Sequence, residues 1–263
     1  MPDHGFPASG KQASHPLALV YTDLIGPMPT EPYSCARYIL TFIDDCIGYA
    51  LLSFLWAKSY CLSNFHNMVS WTKTFTGHIL TSMHLDWGGE FMRQEFQTFL
   101  TFKGITHQTS VLYTPQQNGH AERFNWTILE KAESMCQHAC LPKAFWQDAI
   151  ETALHIYNRQ SMHHHEWKTS IEVFNGKKPD ASYFRVFGCC AYVFISPEQW
   201  PDKLSLKSKE MTFIGYEPNT KGWCFWSKTK WYNEDLLVFH NLNSYLIMHM
   251  AIAHLHRSKE ILI

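Results

Sequence analysis

Tyr113-Thr114-Pro115-Gln116-Gln117-Asn118-Gly119-His120-Ala121-Glu122-Arg123 is a long polar segment that runs directly into a helical pattern. From Ala121 the apolar positions Phe124, Ile128, Ala132, Met135 and Ala139 recur at the helix period, so Glu122 belongs to the first turn of a helix. A carboxylate there is favoured by the helix dipole even without a function, so its meaning depends on what else the chain supplies. Working outward, His84-Leu85-Asp86-Trp87-Gly88-Gly89-Glu90-Phe91 places Asp86 at the end of an apolar run, with 35 residues between it and Glu122. Tyr21-Thr22-Asp23-Leu24-Ile25-Gly26-Pro27 places Asp23 inside another. Each aspartate alone reads as a turn or strand-end residue. Together, a strand, a strand end and a helix presenting one carboxylate each suit two divalent ions about 3.5 to 4 Å apart, the arrangement that activates an oxygen nucleophile at a phosphodiester. Hard cations of this kind take oxygen ligands, chiefly carboxylates and water.

The surrounding pattern predicts an α/β domain. Pro16 to Asp23, Arg37 to Asp45 and Tyr49 to Leu55 read as three successive strands with short connections, an antiparallel meander. Leu62, Phe65, Val69 and Phe75 mark a helix, Ile79 to Leu85 a fourth strand, Phe96 to Leu100 a short helix and Thr106 to Val111 a fifth strand. After Leu141-Pro142, Phe145, Ala149, Ala153 and Ile156 give a further helix to about Arg159. Beyond it the texture changes to short β-like runs at Phe184 to Ile195, Met211 to Tyr216, Gly222 to Trp226 and Leu236 to His240, as in a small barrel.

The bulk numbers bound these readings. A chain of 263 residues has room for one full domain and a smaller one, and 46% hydrophobic residues supply a core and argue against disorder. Net charge is −1, so no global positive field points to nucleic acid and any such contact must be local. Six lysines (203, 207, 209, 221, 228 and 230) against Asp202, Glu210 and Glu217 give residues 201–230 a net +3, readable as a solvated surface or as a phosphate-facing patch. The eight cysteines form no C-x-x-C pair and are expected to be reduced. His163 to His165 and the pairs Cys136/Cys140 and Cys189/Cys190 are better read as loop and packing residues than as metal ligands. Asp44 and Asp45 read as structural hairpin residues, and Glu90 as a nearer rival for metal binding. No signal-peptide h-region and no run of ~20 apolar residues is present, so a soluble, intracellular protein with no membrane partner is expected.

The motifs strongly resemble the integrase of copia-type retrotransposons, a relative of retroviral integrases. The match runs in order through LIGPMP after Asp23, RYILTFIDD at Arg37 to Asp45, WGGEF after Asp86, YTPQQNGHAER, LPKAFW at Leu141 to Trp146 and NGKKPD at Asn175 to Asp180. It continues through FRVFGCCAYVFI at Phe184 to Ile195 and KLSLKSKEMTFIGY at Lys203 to Tyr216. The resemblance implies a ribonuclease-H-like mixed five-stranded sheet flanked by helices, followed by a small SH3-like β-barrel segment. The implied division is a tail or linker at 1–15, a catalytic core at 16–160, a linker at 161–180, the SH3-like segment at 181–240 and a tail outside the family pattern at 241–263. It further implies a polynucleotidyl transferase that trims donor DNA ends and transfers the strand to a target. Asp23, Asp86 and Glu122 would be both the catalytic residues and the ligands of Mg²⁺ or Mn²⁺, two ions per site.

Gln116, Gln117 and Asn118, with Arg123 and Lys131, are the nucleic-acid-binding residues in this reading. The glutamine-asparagine loop reads equally as a solvated connection, and Arg123 as a partner for a phosphate or a carboxylate. Family precedent implies a homo-oligomer assembled on DNA in the nucleus. The chain departs from the pattern at several points. The family's upstream His-His-Cys-Cys zinc domain is not expected here, since only His4 and His15 precede the core and no cysteine comes before Cys35. Trp87 replaces the usual Asn after the second Asp, Trp126 a basic residue four positions after the Glu, and Tyr21 a common His two before the first Asp. These changes leave a second expectation open, an inactive transposon-derived relic that retains the fold and binds nucleic acid or protein.

Overall fold

The computed structural model describes residues 12–32, 34–85, 89, 91, 93–109, 119–163, 166–195, 197–200, 202–217, 222–227 and 236–239. Its elements fall into two compact units. One is built from residues up to Lys131 together with Ala153–Ser182, the other from Ala132–Thr152 together with residues from Tyr183 onward.

In the first unit, strands β1 (Leu19–Ile25), β2 (Tyr38–Asp44) and β3 (Ala50–Leu55) form the expected meander, followed by helix α1 (Cys61–Thr76), β4 (Ser82–Leu85), α2 (Gln94–Lys103) and β5 (Thr106–Thr109). The sheet order is β3-β2-β1-β4-β5. β1 pairs antiparallel with β2 and parallel with β4, and β4 pairs parallel with β5. Parallel neighbours need a crossover, which α1 and α2 provide. β4 begins later than the apolar run from Ile79, because Ile79 is exposed and the ladder with β1 starts at Ser82.

The strand period then sorts the residues between two faces. Val20, Leu40, Phe42, Met83 and Leu85 join Phe65, Met68 and Val69 of α1 and Phe96 and Leu100 of α2 in one buried cluster. On β1 the alternate residues Tyr21 and Asp23 face the other way. At the end of β1, Gly26 has φ +126°, and a Cβ there would come within 2.6 Å of the Arg37 carbonyl, which excludes a side chain at the close approach of the two strands. Asp44 and Asp45 are taken up by the backbone: Asp44 accepts from the N–H groups of Leu17 and Ile47, and Asp45 from that of Ala13.

Helices α3 (Gly119–His138) and α4 (Trp146–Tyr157) contribute residues to both units. In the first unit, Asn158 just beyond α4 accepts from the Ala50 N–H at 2.9 Å and donates to the Ala50 carbonyl at 2.8 Å. Both polar groups of that edge-strand residue are thereby satisfied. A short helix, α5 (Ser170–Asn175), stands within the stretch read as a linker. The Thr169 hydroxyl caps it by accepting from the Glu172 N–H at 3.1 Å, half of a capping box whose Thr-x-x-Glu spacing is visible in the sequence.

The second unit holds an antiparallel sheet in the order β6-β7-β8-β9, with β6 at Cys190–Phe194, β7 at Ser208–Tyr216, β8 at Trp223–Trp226 and β9 at Leu236–Phe239. Ala191, Val193, Met211, Phe213, Tyr216 and Phe225 form its core. The helical residues of this unit pack on it: Phe145 meets Trp226 edge-on at 5.0 Å, and the Thr152 hydroxyl donates to the Ile214 carbonyl at 3.4 Å. Gly188, at φ +80°, lies against Ala139 so closely that any Cβ would collide with it.

Candidate active site

Asp23 sits near the end of β1, on the face opposite the α1/α2 cluster. Its Oδ1 accepts from the Leu24 N–H at 2.8 Å, and its Oδ2 accepts from Asn125 Nδ2 at 2.7 Å. Asn125 lies one helical turn after Glu122 on α3, and residues three apart on a helix are neighbours. The part of α3 that follows Glu122 by one turn is therefore brought to β1. Glu122 itself is exposed.

Asp86 lies outside the described residues, as do Trp87, Glu90, Gln116, Gln117 and Asn118. The ladder of β4 ends at Leu85, the residue before Asp86, and Leu85 pairs with Thr22, the residue before Asp23. Arg123 is exposed. Lys131 is engaged within its own unit, with its ammonium 5.6 Å from the Tyr157 ring centroid and 3.3 Å from Gln160 Oε1, and partial burial lowers its pKa. Trp126 is 69% exposed. His163 packs edge-on against Trp167, while His164 and His165 lie outside the described residues, as do Lys221, Lys228 and Lys230.

Beside Asp23 the same sheet face carries Tyr21, His84 and, from α3, His120. Tyr21 pairs with His84 across β1 and β4, with ring centroids 5.6 Å apart, and stacks on His120 at 5.0 Å. Burial, with a smaller contribution from the Asp45 carboxylate it hydrogen-bonds, pushes the Tyr21 phenol up to about 12. Burial lowers the His84 pKa, and its Nε2 is buried without a hydrogen-bond partner.

Asn125 is the functional candidate that the motif pattern did not single out. The signal was its position: Ala121, Phe124, Ile128 and Ala132 define an apolar stripe, and Asn125 falls within it, buried. Its Nδ2 faces a carboxylate, so the bond itself fixes which amide atom donates. Its Oδ1 is buried with no partner.

Among the described residues no group of three His, Cys, Asp or Glu side chains could hold a metal ion. The donors that are described nevertheless fit a hard divalent cation. Asp23 and Glu122 offer anionic oxygens, and the orphaned Asn125 Oδ1 is an acceptor suited to an ordered water.

Residues 189–232 match the family model of the retroviral polymerase SH3-like domain. Over 225 residues the chain is 36% identical to the retrovirus-related Pol polyprotein from transposon TNT 1-94 of Nicotiana tabacum, covering 86% of this chain and 17% of that one. Over 204 residues it is 30% identical to the Pol polyprotein from transposon RE2 of Arabidopsis thaliana, covering 78% and 14%. The chain thus spans less than a fifth of the length of these curated relatives. A chain of the simian T-cell lymphotropic virus intasome, solved in complex with PP2A regulatory subunit B56 gamma, superposes with a TM-score of 0.54 at 17% identity, covering 91% of this chain and 84% of that one. That likeness is one of fold, a ribonuclease-H-like sheet with flanking helices.

Proposed function

Because the chain belongs with the retrovirus-related Pol polyproteins of copia-type transposons, we propose that it is their integrase segment, a polynucleotidyl transferase that processes DNA ends and joins them to a target. The observation that carries this reading is the 2.7 Å bond from Asn125 to Asp23, which ties the helix turn bearing Glu122 to the strand bearing Asp23. The third member follows in sequence directly on Leu85, the last residue of β4, which pairs with Thr22 beside Asp23.

In this reading Asp23, Asp86 and Glu122 would hold Mg²⁺ or Mn²⁺, two ions per site. When bound, such ions stabilise charge on a phosphodiester and lower the pKa of water. The chain's own residues do the positioning. Asn125 fixes one oxygen of Asp23, which orients the other side of the carboxylate. Gln116, Gln117, Asn118 and Arg123 would contact DNA from the loop and turn leading into α3, and Lys131 from further along the helix. Water cleaves the donor end first, and the freed 3′-hydroxyl then forms a new P–O bond at a target phosphate while the target's own 3′-oxygen leaves. The protein works as a homo-oligomer on DNA in the nucleus, with residues 16–160 as its catalytic core and 181–240 as its SH3-like segment.

Incubating the chain with Mg²⁺ and donor-end duplex should give end trimming or strand joining that Asp86→Asn abolishes. Joining unaffected by that substitution overturns the assignment. A second reading, an inactive relic that retains the fold and nucleic-acid or protein binding, is favoured by Trp126, an exposed indole where the resemblance leads one to expect a cation. It requires that neither Mg²⁺ nor Mn²⁺ support any turnover.

A further inference from the structure

Each of the three carboxylate motifs contributes an aromatic ring two residues before its carboxylate. Tyr21 precedes Asp23, His84 precedes Asp86 and His120 precedes Glu122. These three rings meet. Tyr21 is the shared member, touching His84 of β4 at 5.6 Å and lying stacked on His120 of α3 at 5.0 Å with 21° between the planes. The Tyr21 hydroxyl is held in turn by Asp45, whose carboxylate also accepts from the Ala13 N–H at 2.7 Å.

From this we infer that Tyr21, His84 and His120 form an aromatic layer that positions the three carboxylate-bearing segments relative to one another before any cation binds. The inference rests on the reading of Asp23, Asp86 and Glu122 as cation ligands, and it makes the three rings positioning residues rather than catalytic ones.

The physical case has three parts. A strand and a helix that present ligands to one ion must be held at a fixed separation and angle, and the bond from Asn125 to Asp23 sets that separation at one point. The stacked pair supplies a second contact between β1 and α3, two residues before Asp23 along β1. A second contact restricts the rotation that a single point of attachment allows. The tilted contact to His84 extends the same layer to the strand that leads into Asp86. Aromatic pairs of this geometry stabilise beyond the area they bury.

The test uses the full chain and two readouts. Mn²⁺ binding is measured by calorimetric titration, and amide hydrogen exchange is followed in the first turns of α3. His120 is exposed, so His120→Ala should fold. It should weaken Mn²⁺ binding about tenfold, the scale on which groups behind metal ligands act, and speed amide exchange at residues 121–125 severalfold. His120→Phe, which keeps a ring in the stack, should restore both. Tyr21→Ala should reproduce the loss, Tyr21→Phe should retain most of the Mn²⁺ affinity, and the Tyr21→Ala/His120→Ala double variant should be no worse than the weaker single variant. Unchanged exchange and unchanged Mn²⁺ affinity in folded His120→Ala would overturn the positioning role. Faster exchange in His120→Ala, in a chain whose unaltered form binds no Mn²⁺, supports the ring layer while removing the cation reading on which its purpose rests.

Discussion

Asn125 occupies a place on α3 where an apolar side chain would pack with Phe124 and Ile128, and it spends that place on a bond to Asp23. Its Oδ1 goes without a partner, a cost that stability alone would not retain. Replacing it separates the two demands. Asn125→Leu should leave the chain as stable as before or more so in urea unfolding, since it removes a buried unsatisfied oxygen and completes the stripe. The same variant should bind Mn²⁺ about tenfold more weakly, because Asp23 is no longer held. A variant that loses stability and keeps its affinity would make Asn125 a packing residue. The flanking motifs singled out Asp23 and Glu122 as candidates, but they hid Asn125, whose significance lies in being polar at a buried position. They also hid the ring contacts of Tyr21, which join segments far apart in the chain.

At the scale of elements, Asn158 closes the exposed flank of the meander by satisfying both the N–H and the carbonyl of Ala50. Asn158→Ala leaves two buried backbone groups without partners and should destabilise the fold by about 2–3 kcal/mol in urea unfolding. A loss under about 0.5 kcal/mol would show that water replaces the side chain. The strands of the first unit were legible as apolar runs bounded by turn residues, β2 being buried along nearly its whole length, and α1, α3 and α4 as stripes of apolar residues at the helix period. The six-residue α5 spans under two turns, too few for a stripe, and only its Thr169/Glu172 cap announced it. The start of β4 was misplaced for a related reason: Ile79 is apolar and suits a strand, yet it is exposed, and pairing rather than residue type decides where a strand begins. Among the described residues no helix is long and apolar enough to cross a membrane.

For the whole molecule, α4 carries several partly buried titratable groups, of which Asp148 and His155 shift in opposite directions. In the second unit, burial and the neighbouring Glu151 raise Asp148 from the ordinary carboxyl range to about 7. Its folded state keeps a proton that the unfolded chain releases, so this contribution to stability is full below about pH 4, declines as pH rises toward 7 and is then constant. In the first unit, burial and the Arg159 cation lower His155 to about 3. There the unfolded chain takes up the proton first, so stability is lost as pH falls from about 6.5 toward 3. Urea unfolding across pH 4 to 7 should therefore show Asp148→Asn removing a downward slope and His155→Gln removing an upward one. Identical slopes in the unaltered chain and in both variants would mean that neither group titrates as its surroundings require.

The passage of α3 and α4 from one unit into the other has a practical corollary for anyone dissecting this polypeptide. A recombinant piece beginning at residue 181 would carry the small sheet yet leave behind Ala139, Phe145 and Thr152, the floor on which Gly188, Trp226 and Ile214 rest. Expressed that way it would present a bare greasy underside and invite clumping. An excerpt that keeps that floor starts no later than Ala132, where the second unit takes up α3.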